Sequence, residues 1–209
     1  MATAFSNSAD FWNKRFDTPD YIFGRAPNEY LQTQTKRHLK KGDTVLCVAD
    51  GEGRNSVWLA KQGMQVDAFD LSEVALKKAI ALSKEEMAHV QFTLASSDSW
   101  DWRPNQYDAV VGIFIQFADP VMRLRLFAQM ASTLRPGGLL ILQGYTPKQL
   151  EFKTGGPSIL EHLYTEDMIR NLIGDLEPID LCLYEKELSE GPKHTGMSAL
   201  LGLVARKPF

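Results

Sequence analysis

Thr44-Val45-Leu46-Cys47-Val48-Ala49-Asp50-Gly51-Glu52-Gly53-Arg54-Asn55 decides how this chain is read. Val45, Leu46 and Val48 make an apolar, partly β-branched run suited to a strand covered on both faces. Gly51 and Gly53 then supply a turn in which backbone can approach a ligand closely. The chain turns helical at once, with Val57, Trp58, Leu59 and Ala60 inside 56–61, so a helix amino terminus points its free N–H groups into the turn. Strand, glycine turn and helix in this order commonly hold a nucleotide-like cofactor.

The alternation continues downstream. Strands are expected over 65–70, 89–95, 107–115 and 139–145, the fourth of the chain almost wholly apolar and therefore central. Helices are expected from Pro27 to just before Gly42, over 73–87 with Ser72 as N-cap, over 120–134, and over 165–173 with Thr165 as cap. Arg135-Pro136-Gly137-Gly138 stops the 120–134 helix, because proline cannot continue it and the glycines free the backbone. A loop holding Thr154-Gly155-Gly156-Pro157 precedes the 165–173 helix, and two strands near 180–187 and 197–206 close the chain. Residues 1–26 read as aromatic and irregular, with Phe11, Trp12, Phe16, Tyr21 and Phe23. So much apolar surface is expected to pack over something.

Five strand and helix alternations before a final strand pair imply an α/β fold, a doubly wound and mostly parallel sheet with helices on both faces. Ligands in such sheets bind beyond the carboxyl ends of the strands, where the strand order switches, which puts residues 49–55 at the site. The 209 residues suffice for one domain spanning 1–209, with a core needing neither disulfide nor metal. The composition, 44% hydrophobic and 23% charged, is globular, and a net charge of −3 argues against a general binder of nucleic acid. Cys47 and Cys182 sit among apolar neighbours and read as buried thiols of a reducing compartment, with no metal set. No basic-then-apolar leader opens 1–10, and the apolar runs fall short of a membrane span, so the expected location is the cytoplasm, without membrane contact.

Gly51-x-Gly53 followed by Asp70 nineteen residues on has the spacing of a dinucleotide-binding fingerprint, in which the carboxylate accepts ribose hydroxyls. Ser56 stands where a nicotinamide site would carry its third glycine. Asp50 and Glu52 crowd the turn with negative charge, which is awkward beside a pyrophosphate. A cationic ligand without phosphates fits better.

These residues resemble the class I S-adenosylmethionine-dependent methyltransferases. Residues 45–55 look like their first motif, Ala68-Phe69-Asp70-Leu71-Ser72 like their ribose-binding strand end, and Leu134-Arg135-Pro136-Gly137-Gly138 like their turn before strand five. Cys47 stands where that family usually has aspartate and Ala49 where it has its first glycine, which leaves Asp50 or Glu52 to meet the methionine amino group. Phe11-Trp12-Asn13-Lys14-Arg15-Phe16, Tyr21, Gly24, Pro27-Asn28 and Gly53-Arg54-Asn55-Ser56 resemble the small-molecule branch holding tellurite-resistance and thiopurine or thiol methyltransferases. The likeness runs from about Phe11 to Lys207.

The resemblance implies a seven-stranded sheet with its last strand antiparallel and S-adenosyl-L-methionine as cofactor, with S-adenosyl-L-homocysteine as product. It assigns Ala49, Asp50, Gly51, Glu52 and Gly53 to the methionine end, Asn55 to the cofactor site, Asp70 to the ribose diol, Leu71 to the adenine face, and Ser96 and Ser97 to the adenine amino group. Phe114 and Ile115 are expected to line the cofactor pocket. Trp12 and Tyr21, within the segment 1–26, are candidates either for a lid over the cofactor or for an aromatic staple onto the sheet. Gln116, Tyr145, Gly155 and Gly156 are expected to border the substrate cavity. With the last strand antiparallel to the sixth, the connection 189–196 lies at the cofactor edge, and His194 is the candidate to take a proton from a nucleophile or orient it. The implied activity is methyl transfer to a small soft nucleophile, a thiol or a chalcogen oxyanion such as tellurite, by a monomer or homodimer. A non-catalytic S-adenosylmethionine-binding module and a nicotinamide-dependent dehydrogenase are the alternative readings.

Overall fold

The computed structural model describes residues 4–192 and 194–209. Residues 1–3 of the segment 1–26, and Lys193 of the connection 189–196, lie outside the described residues.

Seven strands make one sheet: β1 (Thr44–Val48), β2 (Gln65–Asp70), β3 (Val90–Leu94), β4 (Tyr107–Ile113), β5 (Leu134–Tyr145), β6 (Glu177–Ser189) and β7 (Thr195–Arg206). Their order is β3-β2-β1-β4-β5-β7-β6. The first five pair in parallel, and β7 runs antiparallel to both its neighbours. The two-residue period of β1 explains the layers. Val45 and Cys47 pack on one face with Leu31 and Leu59, from α2 (Glu29–His38) and α3 (Arg54–Lys61). Leu46 and Val48 pack on the other with Leu126, Phe127 and Ile169, from α5 (Pro120–Thr133) and α7 (Glu166–Leu172). A strand apolar at both parities is stable only with helices on both sides. Side-chain caps start α2, α5 and α7 at Asn28, Asp119 and Thr165, and Ser72 does the same for α4 (Glu73–Glu85). No helix among the described residues is long and apolar enough to cross a membrane.

The structure departs from the expected elements at four places. The aromatic amino-terminal segment is helical over α1 (Ala4–Phe16), because Trp12 and Phe16, four residues apart, stack on one face at 5.6 Å and dock against Ala75 of α4. β4 ends at Ile113, two residues early, since Phe114 adopts a left-handed conformation (φ 58°) that no strand continues. β5 begins at Leu134, so Arg135-Pro136-Gly137-Gly138 forms an irregularity inside a strand, with Gly137 at φ 79°. The loop after β5 contains a short helix α6 (Gln149–Phe152) and a 3-10 turn (Leu160–His162).

Lys78 of α4 ties the amino-terminal segment down. Its ammonium lies 2.5 Å from the Glu52 carboxylate, donates to the carbonyls of Phe16 (3.3 Å) and Asp20 (2.6 Å), and faces the Tyr21 ring at 5.2 Å. Tyr21 returns the contact by donating its hydroxyl to the Lys78 carbonyl at 3.1 Å. Replacing Lys78 with Met is expected to speed proteolytic cleavage within residues 16–24 at least several-fold while the sheet stays intact by circular dichroism. An unchanged cleavage rate would show that the segment is held by its aromatic packing alone.

The glycine turn carries two opposite backbone constraints. Gly53 has φ 87°, and a Cβ there would sit 2.8 Å from the Ala79 Cβ of α4, so its small size is a demand of helix packing. Ala49 has φ 48° although it carries a Cβ. In urea unfolding, Gly53→Ala is expected to destabilise by roughly 2–4 kcal/mol from left-handed strain plus overpacking, whereas Ala49→Gly is expected to be neutral or to stabilise by up to about 1 kcal/mol.

Candidate active site

Beyond the carboxyl ends of β1 and β4, where the strand order reverses, lies a cavity of about 490 Å³. Cys47, Val48, Ala49 and the turn through Glu52 form one wall, and Asp70 and Leu71 at the end of β2 continue it. Trp12, Phe16 and Phe23 of the amino-terminal segment cover it, and Phe114, Gln116, Tyr145, Gly156, His162 and His194 form the far wall.

The acidic groups are concentrated on the glycine-turn side. The Asp70 carboxylate accepts the backbone N–H of Gly51 at 2.9 Å and of Ser72 at 2.8 Å, which fixes the turn against β2. Burial raises the Asp70 carboxyl pKa, and those two N–H donors oppose the rise. Asp50 accepts the Ser56 hydroxyl; burial pushes its carboxyl up to about 7, against that hydrogen bond and with help from the neighbouring Asp70 charge. Glu52 turns away to Lys78 and also accepts the Phe23 N–H at 3.4 Å. Of the two acidic residues of the turn, Asp50 is therefore the one without a cationic partner.

A buried polar network supports the opposite wall. Arg54, the first residue of α3, meets Glu190 at 2.8 Å, with the two side chains 6% and 5% exposed. Glu190 also accepts from the Asn28 side chain (3.0 Å) and the Glu29 N–H (3.2 Å), and Asn28 donates to Gln143 at 2.6 Å. Asn55 accepts the Asn28 N–H at 3.0 Å, so the start of α3 and the start of α2 are locked together. Gln116 donates to the carbonyls of Tyr145 (2.9 Å) and His162 (2.8 Å) and accepts the Tyr145 N–H at 2.6 Å, which uses its amide as a clamp between β4, β5 and the loop after β5.

Most of the residues singled out from sequence meet at this cavity: Trp12, Ala49, Asp50, Gly51, Glu52, Asn55, Asp70, Leu71, Phe114, Gln116, Tyr145, Gly156 and His194 all line it. The others lie elsewhere. Gly53 packs against α4, and Tyr21 points to Lys78 outside the cavity. Ile115 turns into the core behind the left-handed Phe114. Gly155 gives its carbonyl to Gln149. Ser96 closes a local turn with Ser99 and Asp98, and the neighbouring Ser97 hydroxyl is buried with no partner among the described residues. Sequence reasoning missed Arg15, Phe23, Arg54, Glu190 and His162 as site residues. Only Arg54 had a signal, adjoining the glycine turn.

His194 is 7% exposed and wedged between the rings of Phe23 and Phe114, each centred 4.5 Å away. Burial, together with the charges of Arg54 and Arg15, lowers its pKa to about 3, so the imidazole is neutral.

Residues 45–138 match the family described as "Methyltransferase domain". A similar curated relative is the ribosomal protein L11 methyltransferase of Campylobacter concisus, 31% identical over 167 residues, covering 78% of this chain and 52% of the relative. The chain thus spans about half the length of that relative. Among solved structures, TehB from Haemophilus influenzae superposes with a TM-score of 0.68 at 16% identity, over 95% of this chain and 66% of that one. The magnesium protoporphyrin IX methyltransferase of Synechocystis, crystallised with bound SAH, gives 0.70 at 17% identity over 97% and 99%. Residues 45–138 thus match a methyltransferase-domain model, and the chain shares the Rossmann-like fold of these solved methyltransferase structures.

Proposed function

We propose that the protein transfers a methyl group from S-adenosylmethionine to a small, soft nucleophile, a thiol or a chalcogen oxyanion. The observation that carries the cofactor half is Asp70: it ends β2 beside the glycine turn, lines the cavity, and binds two backbone N–H groups while keeping lone pairs for a ligand. Bound S-adenosylmethionine supplies a methyl group on a positively charged sulfur. On this reading Asp70 accepts the ribose hydroxyls and Leu71 packs on the adenine; of Ser96 and Ser97, Ser97 is the one whose hydroxyl has no partner among the described residues. Asp50 takes the methionine amino group, replacing the carboxylate that Cys47 cannot supply, because Glu52 is already neutralised by Lys78.

The acceptor half rests on the cover and the far wall. Trp12, Phe16 and Phe23 close over a cavity of about 490 Å³, near the low end of small-molecule sites and shared between cofactor and acceptor. Such a space suits a compact acceptor better than a protein side chain carried on its backbone, the acceptor type named for the Campylobacter relative. Positioning and exclusion of water then supply most of the rate, since in-line displacement by an ionised soft nucleophile has no obligatory base.

Calorimetry is the first test. S-adenosylmethionine and S-adenosylhomocysteine are expected to bind in the micromolar range, and Asp70→Ala to weaken both at least tenfold; no binding of either at millimolar concentration removes the reading. Because Asp50 titrates near 7 and its ionised form is the one that receives an ammonium, affinity is expected to fall as pH drops below 7, by up to about tenfold per unit. Asp50→Asn should flatten that slope. A flat wild-type profile between pH 5 and 7 would place the amino group elsewhere. Transfer of labelled methyl to thiols, tellurite, selenite and amines then separates an enzyme from a module that only holds the cofactor.

A further inference from the structure

Glu52, Arg54, Asn55, Asp70 and Gln116 are buried polar side chains lining the cavity, and each holds a partner. His194 differs: among the described residues neither of its ring nitrogens has one, although its Nδ1 is fully buried. An imidazole left unpaired in an aromatic cage is costly unless a ligand completes it. The cage is Phe23, Phe114 and, with centroids 6.0 Å apart, Tyr145.

The ring is held in place by its backbone. The His194 N–H donates to the Gly191 carbonyl at 3.1 Å, and the His194 carbonyl accepts the Glu190 N–H at 2.9 Å. This turn presses on the amino-terminal segment, where a Cβ on Gly191 would lie 2.2 Å from the Gly24 nitrogen. Arg15 of α1 and Arg54 of α3 bear on it as cations, Glu190 is neutralised by Arg54, and Asp50, Glu52 and Asp70 belong to the glycine-turn side. Among the described residues no carboxylate pairs with His194 or raises its basicity.

We infer that His194 is a hydrogen-bond donor that seats an acceptor arriving as an anion, on a side of the cavity where the charges that bear on the ring are those of Arg15 and Arg54, and is not the base of the reaction. The inference rests on the methyltransferase reading and names the ionisation state of its acceptor. With its pKa held near 3, the ring is neutral across the working pH range and offers one N–H and no useful proton affinity. The acceptor loses its proton to solvent before it enters. Its lone pair then forms the bond to the methyl carbon as the carbon–sulfur bond breaks, that electron pair remaining on the neutral thioether, and no proton moves within the site.

Three measurements test this. In the free wild-type protein, the imidazole resonances of His194 are expected to stay those of a neutral ring from pH 5 to 9 by nuclear magnetic resonance; a midpoint above 5 overturns the inference. For thiols of different acidity, the midpoint of kcat/KM against pH is expected to follow each thiol's own ionisation, and a single midpoint shared by all would reveal a base on the enzyme. His194→Phe, which fills the cage without a donor, is expected to lower kcat/KM by about tenfold to a hundredfold, with His194→Asn restoring part of it and cofactor affinity unchanged within about threefold. Equal turnover by His194→Phe and wild type, or methyl transfer confined to amines, overturns the proposal. Transfer to tellurite or selenite instead of thiols supports it and identifies the anion. Failure of the methyltransferase reading itself is distinguishable, because calorimetry would then show no cofactor binding.

Discussion

Much of the site depends on one buried ion pair. Arg54 opens the helix after the glycine turn and Glu190 closes the far strand pair, and they meet with almost no solvent around either. Removing one partner alone leaves an uncompensated interior charge, a cost of about 3–5 kcal/mol. The pair is completed by Asn28, so the amino terminus of α2, the amino terminus of α3 and the turn carrying His194 share one set of hydrogen bonds. Through them the glycine-turn wall and the aromatic wall of the cavity are registered against each other, even though their residues are far apart in sequence.

The distribution of charge over those walls follows from the same frame. Each acidic residue near the turn is assigned separate work: Asp70 braces the turn, Glu52 anchors Lys78, and Asp50 is left with a hydroxyl partner and an elevated pKa. The opposite wall is aromatic and carries no free carboxylate among the described residues. On the proposed reading, a cationic cofactor and an anionic acceptor meet between these two walls, and transfer neutralises both within the enclosed space.

How much of this was legible in the sequence depends on range. The strand-turn-helix unit was readable because its signals are local: two apolar parities in β1, two glycines and the spacing to Asp70. The antiparallel last strand, which the family resemblance implied, is present as β7. Glu190 was not readable, since its partner lies 136 residues away and nothing in a Gly-Pro turn announces a buried carboxylate. The helix at the amino terminus was missed because its serines, asparagine and aromatics are weak helix formers, and only docking of Trp12 and Phe16 on α4 makes the helical spacing meaningful. Ile115 was misplaced for a backbone reason: alternation along β4 predicts its direction only while the strand continues, and the left-handed Phe114 resets the phase.

The two glycines of the turn do different jobs. Gly51 lies on the cavity, whereas Gly53 is confined by Ala79 of a neighbouring helix. Half of the G-x-G signature in this chain therefore records architecture, and a descendant that had lost its ligand would still be obliged to keep it. A search for that signature would go on reporting a cofactor site after the chemistry had gone, because the packing of α4 alone is enough to hold Gly53 in place.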